Sequence, residues 1–297
     1  MKKRLKFVVN PKSGIGSKED FPQLLERNLD AEIFEYDIHY TEYRGHAKKI
    51  AKAAADEAYD LVCAVGGDGS VHEVGTALIG TNTALGIIPM GSGNGLARHL
   101  KIPLQVEKAI RSLNHCEIIR MDTGLVNDKP FLGIGGYGFD ALIAQKFDKY
   151  HTRGFWGYTR LTIREYLSYK PIKIDIRLEE EEREEEVVLC TIANSSEFGN
   201  GFTVSPDSDV SDGIFELCIL HPFPKWKAPW VIYNFFKRKG HLLPYAEIIP
   251  FKKARITLHE QMAHYDGEPV SVRKELNVQI KPESLHVIVG EAYSVNG

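Results

Sequence analysis

The chain reads as two folds in series: an α/β domain with a parallel sheet wrapped by helices, then a β-rich domain built as an antiparallel sandwich. Three observations predict this. Over the first third, short apolar runs alternate with helix-like stretches, the grammar of a parallel sheet covered by helices. Polar, Gly-rich loops follow three of those apolar runs. After about Met121 the pattern changes to short β-like runs, many with polar/apolar alternation and most bounded by turn residues.

Taken in order, a buried strand is expected over 5–9, a helix over 18–28, a second strand over 33–39 and an Ala/Lys-rich helix over 45–57. A third strand over 61–65 leads into a helix reaching about Leu78, and a fourth over 85–88 leads into a short helix near Leu96. This first domain, residues 1–125, is Rossmann-like. The second, 126–297, carries strands over 131–134, 172–178, 187–193, 214–220, 254–258 and 276–280, with one helical insertion over 156–168. The last strand is left open to return to the first domain. The acidic run EEEEREEE over 179–186 reads as a solvated hairpin turn.

Composition narrows the function. A formal net charge of −3 argues against a general nucleic-acid binder, which is usually basic. Cys63, Cys116, Cys190 and Cys218 are far apart with no CxxC pairing, so they read as buried, reduced thiols of a cytoplasmic protein. The apolar stretch behind Lys2, Lys3 and Arg4 is cut short by Asn10-Pro11, before a signal-peptide core could form. No window approaches the roughly 18–20 apolar residues of a membrane span.

The chemistry is expected in the three loops. Asn10-Pro11-Lys12-Ser13-Gly14 follows a strand and precedes a helix, so its small residues and the helix terminus suit an anion. It lacks the GxxxxGK spacing of a P-loop. Gly66-Gly67-Asp68-Gly69-Ser70, with His72 and Glu73 opening the next helix, exposes backbone around one carboxylate. That carboxylate could hold Mg²⁺ or accept a hydroxyl proton. Gly91-Ser92-Gly93-Asn94-Gly95 could lay amides and the Ser92 and Asn94 side chains against phosphate or adenine.

Read together, NPxSG at 10–14, GGDG followed by Ser at 66–70, GSGNxxAR at 91–98 and Asp266-Gly267-Glu268 resemble the diacylglycerol kinase and sphingosine kinase catalytic family. GGDG alone is shared with NAD kinases and phosphofructokinases; the ordered set is more specific. The resemblance implies an ATP- and Mg²⁺-dependent kinase that phosphorylates a hydroxyl of a membrane lipid, with the active site in the interdomain cleft. It implies nucleotide contacts from Asn10, Pro11, Ser13, Gly14, Thr41, Gly66, Gly67, Gly69, Ser70, Glu73, Gly91, Ser92 and Asn94. Asp68, Asp266 and Glu268 would be catalytic, with Asp68 and Glu268 also on metal and the choice of base left open. Asp209 and Asp212 are candidates for a structural Mg²⁺ loop, against an acidic turn without metal.

Two further segments bear on the substrate. Gly133-Ile134-Gly135-Gly136-Tyr137-Gly138 satisfies GxGxxG but does not open a βαβ unit, so it reads as a tight turn with Asp140 beyond it near the lipid. The basic–aromatic stretch 149–164 resembles the family's lid over the lipid tail, and Arg153 within it could meet substrate or phosphate. The Gly91–Gly95 string is closer to sphingosine-type members. Yet the carboxylate expected to meet a sphingoid amine falls on Ala144, with Asp140 and Asp148 one helical turn away. Diacylglycerol and sphingoid base both stay open.

A basic–aromatic helix around Trp226, Trp230 and Tyr233 either rests on an anionic bilayer or packs into the core. The expected partners are therefore ATP and a lipid at the inner membrane surface, reached transiently from the cytoplasm, with no nucleic acid; a homodimer is left open. Rival readings are an NAD kinase-like phosphotransferase and a catalytically silent lipid-binding regulator.

Overall fold

The computed structural model describes residues 2–13, 20–149, 155–179, 181–258 and 262–294, and of 147–149 and 155–160 the backbone alone. The chain divides into two units, Met1–Thr123 with Pro282–Gly297, and Gly124–Lys281.

The first unit alternates strand and helix: β1 (Lys3–Val9), α1 (Phe21–Asn28), β2 (Phe34–Tyr40), α2 (His46–Asp56), β3 (Leu61–Gly66), α3 (Asp68–Leu78), β4 (Ala84–Pro89), α4 (Gly95–His99) and α5 (Val106–Leu113). The helix α5 was not foreseen from the sequence. The strands run parallel in the order β2-β1-β3-β4. β3 and β4 are buried at every residue, as expected of strands covered on both faces. β5 (Ile118–Val126) leads into the second unit.

The second unit continues with β6 (Lys129–Phe131), β7 (Ile134–Gly138), α6 (Phe139–Lys149), α7 (Phe155–Ser168), β8 (Ile172–Leu178), β9 (Glu181–Val187) and β10 (Leu189–Ala193). There follow β11 (Glu197–Gly199), β12 (Phe202–Thr203), β13 (Phe215–Leu220), a 3₁₀ turn at Lys225–Lys227, α8 (Ala228–Phe236), β14 (Ala246–Phe251) and β15 (Lys253–Leu258). The chain ends with β16 (Met262–Tyr265), β17 (Glu268–Ser271) and β18 (Glu275–Ile288). Beyond Pro282, β18 belongs to the first unit, where Val287 pairs in parallel with Leu85 of β4.

Two antiparallel layers form the sandwich of this unit. One holds β18-β15-β8-β9, and the other β14-β13-β10-β7-β16-β17. Ile174, Ile176, Ile256 and Val278 from the first pack against Tyr137, Ile192, Leu217 and Tyr265 from the second. Strict alternation in Ile172–Leu178 puts four apolar side chains on the inner face. The helices α6, α7 and α8 cover the outer face of the second layer through Phe139, Ile143, Leu161, Tyr166, Val231 and Phe235.

Three expectations need correction. The acidic run is a strand and not a turn: β9 pairs along its whole length with β8. Its charges are tolerated because it lies at a sheet edge, with Lys173 3.1 Å from Glu184 and Arg183 3.2 Å from Glu247. The glycine-rich segment is no tight turn either, since Ile134–Gly138 is the fully buried strand β7, between β10 and β16. And the strand expected over 131–134 is broken, because three successive N–H groups there turn to a carboxylate instead of a ladder. Of the four thiols, none is in a disulfide and Cys116 is only partly buried.

Candidate functional site

In the first unit the three loops that are distant in sequence meet at the carboxyl ends of β1, β3 and β4, where open α/β sheets place their ligands. The Met90 N–H donates to the Gly66 carbonyl at 2.7 Å. Asn10 Nδ2 donates to Ser70 Oγ at 3.3 Å. Gly67 and Gly91 approach so closely that a Cβ on Gly91 would lie 2.5 Å from the Gly67 Cα, and one on Gly66 would lie 2.3 Å from Ser70 Oγ. At Gly91 glycine is required by backbone proximity, and at Gly66 by the Ser70 side chain packed against it.

Asp68 is the first residue of α3, where a carboxylate is favoured by the helix dipole. Its two oxygens accept the N–H groups of Asn94 (2.9 Å) and Gly95 (2.8 Å), so it braces the third loop. Asn94, buried and left-handed (φ 54°), closes that loop on itself. Its Oδ1 accepts the Gly91 N–H at 3.0 Å and its Nδ2 donates to the Gly91 carbonyl at 2.8 Å. The sequence placed this amide against a ligand; the structure directs it to Gly91. Ser92 stands exposed at the loop's tip.

The remaining predicted residues of this unit serve the same framework. Asn10 Oδ1 accepts the Lys12 N–H (3.0 Å) and Ser13 Oγ donates to the Asn10 carbonyl (3.1 Å), shaping a turn with Pro11 exposed. Glu73 accepts the N–H of Gly45 (2.7 Å) ahead of α2, and the Thr41 N–H continues the pairing of β2 with Val9 (2.9 Å). Gly69 lies in the first turn of α3. Gly14 lies outside the described residues.

In the second unit Asp266 and Gly267 form the two-residue loop between β16 and β17, whose flanking residues Tyr265 and Glu268 pair. Both have positive φ, 51° and 84°, as a type I′ hairpin demands and as Asp-Gly satisfies. The Asp266 carboxylate gathers the N–H groups of Leu132 (2.9 Å), Gly133 (2.8 Å) and Ile134 (3.1 Å), which is what breaks the expected strand. Glu268 begins β17 and is partly exposed.

Asp140 opens α6 and is buried. Its Oδ1 accepts the Ala141 N–H (2.8 Å), and its Oδ2 accepts from Thr191 Oγ1 (3.2 Å) and His264 Nε2 (3.2 Å). His264 Nδ1 accepts the Gly267 N–H at 3.3 Å, which sets the tautomer and ties the pair to the hairpin loop. A Cβ on Gly136 would lie 1.9 Å from Asp140 Oδ2, so β7 must be glycine where the pair crosses it. Sequence reading missed Thr191, His264 and the reason for Gly136; Thr191 and His264 lie 51 and 124 residues from Asp140, and no periodicity links them. Arg153 and the side chain of Asp148 lie outside what the structure describes.

Asp209 and Asp212 close local turns: Asp209 Oδ1 accepts from the Ser211 N–H (2.9 Å) and Oγ (2.7 Å), and Asp212 Oδ1 from the Ile214 N–H (2.8 Å). Burial lifts the neighbouring Glu216 carboxyl to about 7, and Asp212 and Asp209 add to this against the Ser208 hydroxyl, which donates to it at 2.6 Å. Among the described residues, no three His, Cys, Asp or Glu come together as a metal cluster. Mg²⁺ commonly takes only one or two carboxylates, with waters and substrate phosphates completing its shell. Asp68, with one backbone donor on each oxygen, fits that use.

Comparison with known proteins agrees with this architecture. A profile described as the diacylglycerol kinase catalytic domain matches residues 4–126, and one described as the YegS C-terminal NAD kinase beta sandwich-like domain matches residues 133–289. The chain is 32% identical to the diacylglycerol kinase of Bacillus subtilis (strain 168) over 224 residues, which is 73% of this chain and 74% of that one. It is 26% identical over 267 residues to a Yersinia enterocolitica protein named "Probable lipid kinase YegS-like", covering 87% and 88%. A crystal structure of a diacylglycerol kinase from Bacillus anthracis str. Sterne matches in fold with a TM-score of 0.76 at 20% identity, covering 99% and 98%. With a diacylglycerol kinase catalytic domain followed by a YegS-type β-sandwich, the chain belongs to the diacylglycerol kinase and YegS-like lipid kinase family.

Proposed function

We propose that this protein transfers the γ-phosphoryl group of ATP, with Mg²⁺, to a hydroxyl of diacylglycerol or of a sphingoid or related lipid. The observation that carries the reading is the meeting of three Gly-rich loops at the carboxyl ends of β1, β3 and β4, with Asp68 at the start of α3. Phosphoryl transfer asks mainly for positioning and charge neutralisation, which backbone amides and a helix N-terminus offer. Asn10, Ser13, Gly67 and Ser92 are proposed at the nucleotide. Asn94 would act by shaping its loop.

Asp68 and Glu268 are the residues proposed to hold Mg²⁺, with Asp209 and Asp212 for a structural ion. The metal would supply charge neutralisation on the phosphates. Asp68, Asp266 and Glu268 are the candidates for accepting the hydroxyl proton. Asp266 already accepts three backbone N–H groups, which favours a positioning role for it. Asp140 is proposed near the acceptor's polar group. The names of the Bacillus subtilis and Yersinia relatives support a lipid acceptor.

Among the described residues, no helix is long and apolar enough to cross a membrane. The lipid would then be met at the surface of the inner membrane from the cytoplasm. A second reading, phosphorylation of NAD, draws on the NAD kinase-like description of the C-terminal domain. Transfer from radiolabelled ATP to a panel of diacylglycerol, ceramide, sphingoid base and NAD tests both. Label on one lipid class is expected. Label on NAD alone would replace the reading, and saturable ATP binding without transfer to any acceptor would favour a silent regulator.

A further inference from the structure

The segment from residue 222 to 246 contains Lys225, Lys227, Lys237, Arg238 and Lys239 and no Asp or Glu, in a chain of net charge −3. Within it α8 is apolar on two sides. Ala228, Val231 and Phe235 are buried against the β-sandwich, as the i, i+3, i+7 spacing of an inward face requires. Trp226, Trp230 and Tyr233 follow the opposite stripe at i, i+4 and i+7, and they are 78%, 48% and 58% exposed. Leu242, in the turn after the helix, is 70% exposed, and Leu167 is 55% exposed where Lys225 Nζ donates to its carbonyl.

Two lysines lie against these rings. Lys227 Nζ sits 5.3 Å from the Trp226 ring and Lys237 Nζ 5.6 Å from that of Tyr233. Among the described residues, none of the five cations of the segment is in an ion pair. Burying such a face inside the protein is excluded by its exposure. Covering it with a second copy in a two-fold dimer would set the patch's cations against their own counterparts. An acidic partner surface removes that conflict, and indole and phenol rings flanked by lysine are the side chains that settle at the headgroup level of a bilayer.

We propose that α8 with its flanking turns is the face by which this protein docks on an anionic membrane. Trp226, Trp230 and Tyr233 enter the headgroup layer, and the basic residues between 225 and 239 meet lipid phosphates. The proposal deepens the lipid-kinase reading and rests on it for its purpose, since a soluble enzyme must meet its acceptor at the surface where that acceptor resides. The inner stripe of α8 shares its apolar cluster with Phe139, the neighbour of Asp140. Docking therefore brings the bilayer to the same packed layer that seats Asp140.

The test is co-sedimentation of the full chain with vesicles of phosphatidylcholine, with or without phosphatidylglycerol, at low and high salt. Wild type is expected to bind the anionic vesicles, and more weakly at high salt. The variant W226S/W230S should bind at least about tenfold more weakly. K225E/K237E should lose about fivefold or more for each charge removed. Thermal melting should be unchanged in W226S/W230S, because both rings lie outside the core. Equal binding by wild type and variants overturns the proposal, as does equal binding to neutral vesicles. So does a wild-type dimer that W226S/W230S dissociates, which would assign the face to a second copy. Turnover on detergent-dispersed acceptor separates the two readings. If it persists while vesicle binding shows no dependence on α8, the docking face alone is wrong; if it is absent for every lipid, the lipid-kinase reading fails.

Discussion

Replacing Asp266 by Asn isolates what one carboxylate does for the β16–β17 hairpin. Asn tolerates the left-handed backbone of the first loop position as well as Asp, so the turn itself is not strained by the change. What changes is the acceptor set. Asp266 Oδ1 takes the Gly133 and Ile134 N–H groups and Oδ2 takes that of Leu132. An amide keeps one oxygen and presents an NH₂ to the remaining N–H, a donor facing a donor among the buried residues 132–134. A hydrogen bond to a charged acceptor contributes about 1.5–3 kcal/mol, and a stranded buried donor costs about 1–3 kcal/mol. The expected loss is roughly 2–4 kcal/mol, because the oxygen that remains can still serve two of the donors. For a unit of this size each kcal/mol lowers Tm by about 2–4 °C, so D266N should melt roughly 4–16 °C lower. The assay is thermal unfolding followed by circular dichroism, with transfer activity measured well below the transition. A D266N melting curve that overlays the wild type's would refute the argument that Asp266 positions residues 132–134. Activity lost with Tm intact would move Asp266 from a positioning to a catalytic role.

Other outcomes follow from the same contacts. Glu268→Gln should lower kcat by about 100- to 10,000-fold if the carboxylate acts on metal or proton; wild-type turnover would remove it from the site. Gly136→Ala should destabilise the second unit by about 1–3 kcal/mol, since the new Cβ would lie 1.9 Å from Asp140 Oδ2 and 2.3 Å from His264 Nε2. Denaturant unfolding reads this, and a neutral result would mean that the pair does not cross β7 as described. Glu216 supplies a pH test. Its carboxyl is raised to about 7 in the folded state from an ordinary 4.5, so the folded protein holds the proton more tightly than the unfolded chain. Stability should then fall as pH rises through that window, by up to about 3 kcal/mol. Glu216→Gln should abolish this part of the slope and be the more stable protein above the window; parallel pH profiles for the two would contradict it.

Local sequence carried much of the architecture. The continuous apolar runs of β3 and β4, and that of β1 broken only by Lys6, are each followed by a Gly-rich loop and specify parallel strands with ligand loops at their carboxyl ends, because a strand buried on both faces leaves no polar alternation. The alternation in β8 and β15 specifies strands with one face in a core. Ordered strings such as 10–14, 66–70, 91–98 and 266–268 can be read without coordinates because each is a contiguous run of residues.

The partners of the polar side chains needed the tertiary structure. EEEEREEE looks like a turn by composition, yet pairing with β8 at a sheet edge gives its charges solvent and counter-charges, and it becomes β9. GxGxxG looks like a turn by its glycines, yet β7 needs them because the Tyr265 ring and the Asp140–His264 pair cross its surface. Asp68 and Asp266 are legible as carboxylates beside glycine. That each gathers backbone N–H groups 26 or more residues away is fixed only when the chain folds and the loops meet. Hydrogen-bond partners far apart in sequence leave no periodic trace, whereas burial of a strand face does, and for that reason the sequence by itself determined the folds and the loops while the tertiary structure decided what each carboxylate holds.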